Sequence, residues 1–350
     1  MNPPAVAPLP PIHAPARTLL PAPLRHRLAA LLQGPPRGPR SQRKEACVFA
    51  LGRIGDFVLV LPVLRLLVRE YGADQVTLVI PGTVMALAVR ELPGTELILL
   101  PSDAPGLLRD VMPLWWRERH RFAALRFKRR IVLTHFRPLY HDIVASWAEA
   151  DRDYRLNPAL YPAPTADDQC RELHAHRLLA ATVLGRPISG EEIVPHLNSF
   201  TPGNDGRLLV YPISHDGTRD LPPDRLLSIL RAWRERCATP WVLGGAPRDE
   251  ARLEALAAAA RAAGIPPAAI ETPSGIIAFV SHIAAAGAVL SADSAAAHLG
   301  NALDKPTVVL TVPAWHGISQ PWRKSARQHG FLMDSPAEAI ASALPTLHPL

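Results

Sequence analysis

The feature that most constrains this chain is an alternation that runs through it twice. Between residues 46 and 136 the apolar runs "ACVFAL", "QVTLVIPG", "TELILLP" and "RIVLTHF" are separated by helix-length segments, among them "DFVLVLPVLRLLVREYG" and "TVMALAVREL". A second series, "RLLVYP" (207–212), "TPWVLGG" (239–245), "GAVLSAD" and "PTVVLTV" (306–312), is separated by helical stretches at 222–236 and 247–263, "IIAFVSHIAAA" and "SAAAHLGNAL". Short strands that are apolar on both faces and joined by helices predict parallel sheets covered on both sides. The fold class expected is therefore α/β, with two Rossmann-like, doubly wound domains facing a central cleft. "HLNSFTPGNDG" (196–206) breaks the rhythm, which puts the N-terminal domain at 45–200 and the C-terminal one at 201–350. A chain of 350 residues exceeds one hydrophobic core, as this division requires. After the 130–136 strand, "PLYHDIVASWAEAD" reads as helical.

Charge is distributed unevenly. The formal net charge is +7, but residues 1–44 hold Arg17, Arg25, Arg27, Arg37, Arg40, Arg43 and Lys44 with no acid, so the remainder balances 31 basic against 31 acidic residues. That segment also carries eleven of the 38 prolines, a composition too poor in apolar residues for a core, and reads as a disordered tail. Within it "PLRHRLAALLQG" (23–34) has the pattern of a short amphipathic helix, suited to a membrane surface or to the body of the protein. A second basic excess, "WWRERHRFAALRFKRR" (115–130), interleaves aromatics with Arg and Lys. It fits either an anionic partner or a solvated face with its tryptophans turned inward. A neutral body argues against nucleic acid as the partner.

No run of eighteen uncharged apolar residues and no signal-peptide pattern is present, so a cytoplasmic location is expected. Cys47, Cys170 and Cys237 have no ligand spacing and read as buried small hydrophobes. Asp151-Arg-Asp153 is an Asp-x-Asp triplet, but its predicted place after a helix argues against the strand-end metal site such triplets form.

Open parallel sheets bind ligands at the carboxyl ends of their strands, so chemistry is sought in the loops there. In "ALGRIGDFVLVLP" (50–62), Gly52 and Gly55 permit a tight turn and Asp56 falls where a helix N-cap belongs. The acid is equally placed to cap the helix or to take a proton from a substrate hydroxyl. In "YPISHDGTRDLPPDRL" (211–226), Arg219 suits either a phosphate or a surface pairing with a neighbouring Asp. "LGGAPRDE" (243–250) is an ordinary strand-to-helix turn or a place where backbone approaches a nucleotide. "AVLSADSAAAHLGNAL" (288–303) supplies Ser294 as a cap and small residues at a helix N-terminus, where amides and dipole favour a diphosphate. His298 in that helix is a ligand contact or a core histidine. "VPAWHGISQPW" (312–322) has the aromatics and prolines of an ordered loop beside a site.

Taken in order, these segments resemble the heptosyltransferases of glycosyltransferase family nine. The similarity rests on the Gly-Asp turn before an apolar helix, Tyr211-Pro212 with Arg219 where lysine is usual, "GGAPRDE", and "DSAAAH" (293–298). It spans about residues 46–345. The resemblance implies a GT-B fold and an inverting, metal-independent transfer from a nucleotide sugar, ADP-heptose, to a lipopolysaccharide-core or other glycan acceptor, with no cofactor. Carried over, Asp56 is the general base and Arg219 the cation beside the diphosphate. Gly244, Gly245, Glu250, Asp293, Ser294, Ala295 and His298 fall to the donor, and Arg53, Gly55, His135 and Arg137 to the acceptor. A glycolipid acceptor implies peripheral contact with the inner face of the cell membrane. Two departures stand out: Ala295 occupies the family's glycine position, and "TVPAWHG" replaces Phe/Tyr-Gly-x-Thr. The other readings are a nucleotide-sugar epimerase on the same architecture and a non-catalytic protein binding anionic surfaces through residues 1–44.

Overall fold

A computed structural model of the chain describes residues 43–100, 122, 125–134, 144–156, 170–215, 217–318, 320 and 322–347. The proline-rich segment up to residue 42, residues 115–121, His135 and Arg137 lie outside them.

Two parallel sheets form the molecule. The first comprises β1 (Arg43–Phe49), β2 (Val76–Pro81), β3 (Glu96–Leu100), β4 (Arg126–Val132) and β5 (Glu149–Arg155), in the order β3-β2-β1-β4-β5. The second comprises β6 (Leu208–Tyr211), β7 (Trp241–Gly244), β8 (Ala269–Glu271), β9 (Ala288–Ala292), β10 (Thr307–Thr311) and β11 (Gln328–Leu332), ordered β11-β10-β9-β6-β7-β8. Among the described residues the helices include α1 (Ile54–Tyr71), α2 (Met85–Glu91), α3 (Arg171–Leu184), α4 (Pro223–Arg234), α5 (Glu250–Ala262), α6 (Ile276–Ala285), α7 (Ala295–Ala302) and α8 (Ala337–Ala343). β1 begins at Arg43, so Arg43 and Lys44 are strand residues and not tail.

The two-residue period of the strands sorts the core into layers. On β1, Cys47 and Phe49 face an outer cluster with Phe122, Phe127 and Trp147, while Ala46 and Val48 face inward. On β6, Leu208 and Val210 face the outer layer of α4 and α8, and Leu209 and Tyr211 face inward. The two inward faces share one continuous apolar layer in which α1 meets α7 and α3, and α2 meets α6. Nearly every residue of α1 from Phe57 to Leu67 is buried there, Pro62 included. At about 1.5–3 kcal/mol per buried aliphatic side chain, this layer is what holds the halves together. The three cysteines are buried and form no disulfide.

The helical reading of residues 138–151 fails at its end. Residues 144–146 are helical, but Glu149–Arg155 is an edge strand. Its charges are satisfied across the sheet: Arg130 Nε lies 2.9 Å from Asp153 Oδ1, Arg126 pairs with Glu149 at 3.4 Å, and Arg43 pairs with Asp151. Asp151-Arg-Asp153 thus lies inside a strand, its carboxylates engaged by arginines. The basic run ends the same way, since Lys128 and Arg129 both bind Glu45 on β1. The strands β8 and β11 and the helices α3 and α8 lie outside the alternation that the sequence predicts.

The chain crosses between the sheets through residues 196–207, held at both sides. On one side the buried Glu91 carboxylate pairs with Arg65 and accepts the amides of Asn198 and Ser199 at 3.1 Å each. On the other the buried Lys305 ammonium binds the carbonyls of Gly203 and Ala284, and the Gly203 amide donates to Ala284 at 2.8 Å.

Candidate active site

The turn after β1 is built around Asp56. The Leu51 amide donates to the Thr134 hydroxyl at 3.0 Å, tying the turn to the end of β4. α1 starts at Ile54 with Arg53 as its N-cap, so Asp56 is the third helical residue and not the cap that its sequence position suggested. Its side chain folds back and Oδ2 accepts the Arg53 amide at 2.7 Å, satisfying one of the orphan donors at the helix start. A negative group also suits the positive end of the helix dipole. Gly52 makes this possible: a Cβ there would stand 2.3 Å from Asp56 Cβ. Asp56 is half-buried and Arg53 exposed.

Across the junction lies the turn after β9. Asp293 is completely buried, its amide donating to Leu310 at 3.0 Å. Ser294 caps α7, its Oγ accepting the Ala296 amide at 3.3 Å. Ala295 and Ser294 are half-buried at this N-terminus. Arg219, in the loop after β6, places Nη1 3.1 Å from Asp293 Oδ2 and stacks over the Trp315 ring at 5.6 Å. It therefore pairs with a buried carboxylate from another strand end. Among the described residues Asp293 Oδ1 has no hydrogen-bond partner.

His298 joins the two turns. Its ring is buried and packs so closely on α1 that a Cβ at Gly55 would stand 2.7 Å from Cδ2. The glycine is needed for that ring, a contact between halves that local sequence could not announce. Burial pushes the imidazole below the usual histidine range; the carboxylates of Asp293, Glu172 and Asp56 oppose this, and Arg219 adds to it. Its Nδ1 accepts from Trp322 Nε1 at 3.1 Å. Asp56, Gly55, Arg219, Asp293, Ser294 and His298 are thus brought to one place.

Glu172 and Trp322 were missed as members of this group. Glu172 sits in the first turn of α3, whose leading amides, of Arg171 and Glu172, donate to Gly317 and Ile318 of the 312–322 loop at 3.0 Å. Nothing in the local pattern marks Glu172, which arrives through a contact from another element; Trp322 closes the 312–322 loop expected beside a site, but its partner His298 lies on α7.

Gly244 and Gly245 have a packing explanation. A Cβ at Gly244 would stand 2.5 Å from the Tyr211 ring, and one at Gly245 2.7 Å from Leu253 Cδ1. Glu250, the first residue of α5, is exposed.

Two parallel sheets facing each other across these turns form a GT-B-like fold. Against solved structures the chain is similar to the Escherichia coli heptosyltransferase WaaC with ADP, at 16% identity and a TM-score of 0.64, with 86% of this chain and 98% of that one covered. It is similar also to E. coli ADP-heptose lps heptosyltransferase II (16%, TM-score 0.58, 85% and 97% covered) and to a family 9 glycosyl transferase from Veillonella parvula (15%, 0.59, 84% and 89%). Comparison with curated proteins gave no match. Residues 189–341 match the model of glycosyltransferase family 9 (heptosyltransferase). The C-terminal half of the chain thus belongs to glycosyltransferase family 9, and the whole chain shares the fold of the solved transferases.

Proposed function

We propose that this enzyme is an inverting, metal-independent transferase that moves a heptose from ADP-heptose to a lipopolysaccharide-core sugar or a related glycan. The observation that carries the reading is the packing of His298 against Gly55, which sets the Asp56 turn of one half against the 293–298 loop of the other. In this mechanism residues 45–200 hold the acceptor, with Arg53, Gly55, His135 and Arg137 among its contacts, and residues 201–350 hold the donor. Asp56 accepts the proton of the attacking hydroxyl as that oxygen reaches the anomeric carbon opposite the diphosphate. One Asp56 oxygen is already fixed by the Arg53 amide, which orients the carboxylate before substrate arrives. The departing diphosphate is stabilised by Arg219 and the N-terminus of α7. Arg219 shares its charge with Asp293, so the two act as a unit. Glu250, exposed at the head of α5, binds the nucleoside.

The enzyme works at the cytoplasmic face of the inner membrane, where a glycolipid acceptor is presented. Among the described residues no helix is long and apolar enough to cross a membrane.

The test is a thermal-shift comparison of ADP with UDP, GDP and dTDP, followed by turnover of ADP-heptose. A ligand at about 100 times its Kd stabilises the native state by about 2.7 kcal/mol. A shift specific to ADP supports the reading, and no shift with any of the four would overturn it. Conversion of ADP-heptose to an epimeric nucleotide sugar without an acceptor and without release of ADP would favour the epimerase instead.

A further inference from the structure

We infer that Trp322 is a positioning residue that locks His298 in a single neutral tautomer, so that the ring presents an Nε2 proton, and never an imidazolium, to the turn that carries Asp56. The inference rests on the reading of Asp56 and His298 as site residues.

An indole nitrogen only donates. Trp322 Nε1 lies 3.1 Å from His298 Nδ1, so Nδ1 is the acceptor and the neutral ring carries its proton on Nε2. Trp322 is 1% exposed and His298 5%, so water does not compete for this bond. The indole is also fixed in place. Its carbonyl accepts from Asn301 Nδ2 at 2.6 Å, one turn along α7 from His298, and its amide donates to Gln320 Oε1 at 3.3 Å. Residue 322 is thus strapped to α7 at two points.

Protonating Nδ1 would set two N–H donors against each other in a buried space and leave the indole without an acceptor, a costly arrangement. The charged groups facing the ring are Asp56 on α1, Glu172 on α3, Asp293 at the end of β9 and Arg219 in the loop after β6. The three carboxylates favour an imidazolium; Arg219 and burial oppose it and prevail. On its other edge the ring holds Nε2 3.3 Å from where a Gly55 Cβ would stand, beside Asp56. A neutral N–H fixed there stabilises an anion without competing for the proton that Asp56 collects. Trp322 therefore removes His298 from acid–base chemistry and leaves it as a hydrogen-bond donor.

The experiment records ring nitrogen NMR spectra of full-length protein labelled at histidine, with His298→Gln used to assign the signal. In the natural protein His298 shows an unprotonated Nδ1 and a protonated Nε2, unchanged from about pH 8 down to about pH 6.5, where a free imidazole is half-charged. In Trp322→Phe the ring becomes a tautomer mixture that titrates in that range. With ADP-heptose as substrate, that variant loses about ten- to a hundredfold in kcat, gains an acid limb in its pH profile and keeps KM within about threefold. His298→Gln, whose amide offers an N–H but cannot titrate, retains about a tenth or more of kcat where His298→Ala loses about a hundredfold or more. A protonated Nδ1 in the natural protein, or titration of His298 at or above the free-imidazole value of about 6.5, would overturn the inference. So would a His298→Gln variant no more active than His298→Ala. If Trp322→Phe does not fold, the natural protein's spectrum and the glutamine variant decide. Failure to turn over ADP-heptose would count against the functional reading, while the tautomer measurement stands independently of substrate.

Discussion

The turns after β1 and β7 look alike in sequence: each runs from a buried strand through glycine to a helix with an acid in its first turn. Their glycines answer to different neighbours. Gly55 yields to His298 of the opposite half, and Gly52 to the Asp56 side chain folded over it. Gly244 and Gly245 yield to Tyr211 and Leu253, both from their own half. A glycine in such a turn therefore says that something comes close; what comes close decides whether the turn belongs to a site.

The comparison breaks most visibly at its acids. Asp56→Asn should lower kcat by about 10²–10⁴, the usual worth of a general base, while folding and the ADP-induced thermal shift persist. Asparagine keeps an oxygen to accept the Arg53 amide, so a variant that unfolds would show the carboxylate to be structural. Gly55→Ala comes next. Its methyl meets an imidazole ring that Trp322 holds in place, so kcat should fall about a hundredfold through displacement of His298. Near-normal kcat would show that the halves adjust freely. Gly245→Ala should cost about 1–3 kcal/mol in denaturant unfolding, because the methyl meets the end of a flexible leucine. Its activity, assayed below the melting temperature, should fall far less than that of Gly55→Ala.

The smallest effect is on pH. His298 and His282 are both held below the usual histidine range, chiefly by burial. The unfolded chain then binds more protons, so their contribution is fully present above the unfolded value of about 6.5 and is lost as pH falls below it, by up to about 1.4 kcal/mol per pH unit for each histidine. Melting temperature should be level from pH 8 to 7 and decline towards pH 5. A level curve down to pH 5 would show that these rings are charged in the fold.

Sequence revealed the parts of this fold whose reasons are local. Central strands such as "GAVLSAD" and "PTVVLTV" are buried on both faces and spell this out as unbroken apolar runs. "EADRDYR" does not, because an edge strand satisfied by Arg126 and Arg130 of its neighbour carries its explanation on another segment. The site divides in the same way. Asp56, Ser294 and His298 stood out through short-range motifs. The need for Gly55 and the part played by Trp322 depend on contacts with residues far away in the chain, which no window of sequence contains.

The two-sided grip on residues 196–207 has a mechanical consequence. With Ser199 anchored to Glu91 and Gly203 to Lys305, a rotation of one sheet against the other that keeps these bonds bears on the backbone torsions of Phe200, Thr201 and Pro202. Proline surrenders one of those torsions to its ring. The freedom left resembles that of a door hung on a short pin: the halves can swing about a nearly fixed line, but they cannot slide past one another without first releasing a buried carboxylate or a buried ammonium.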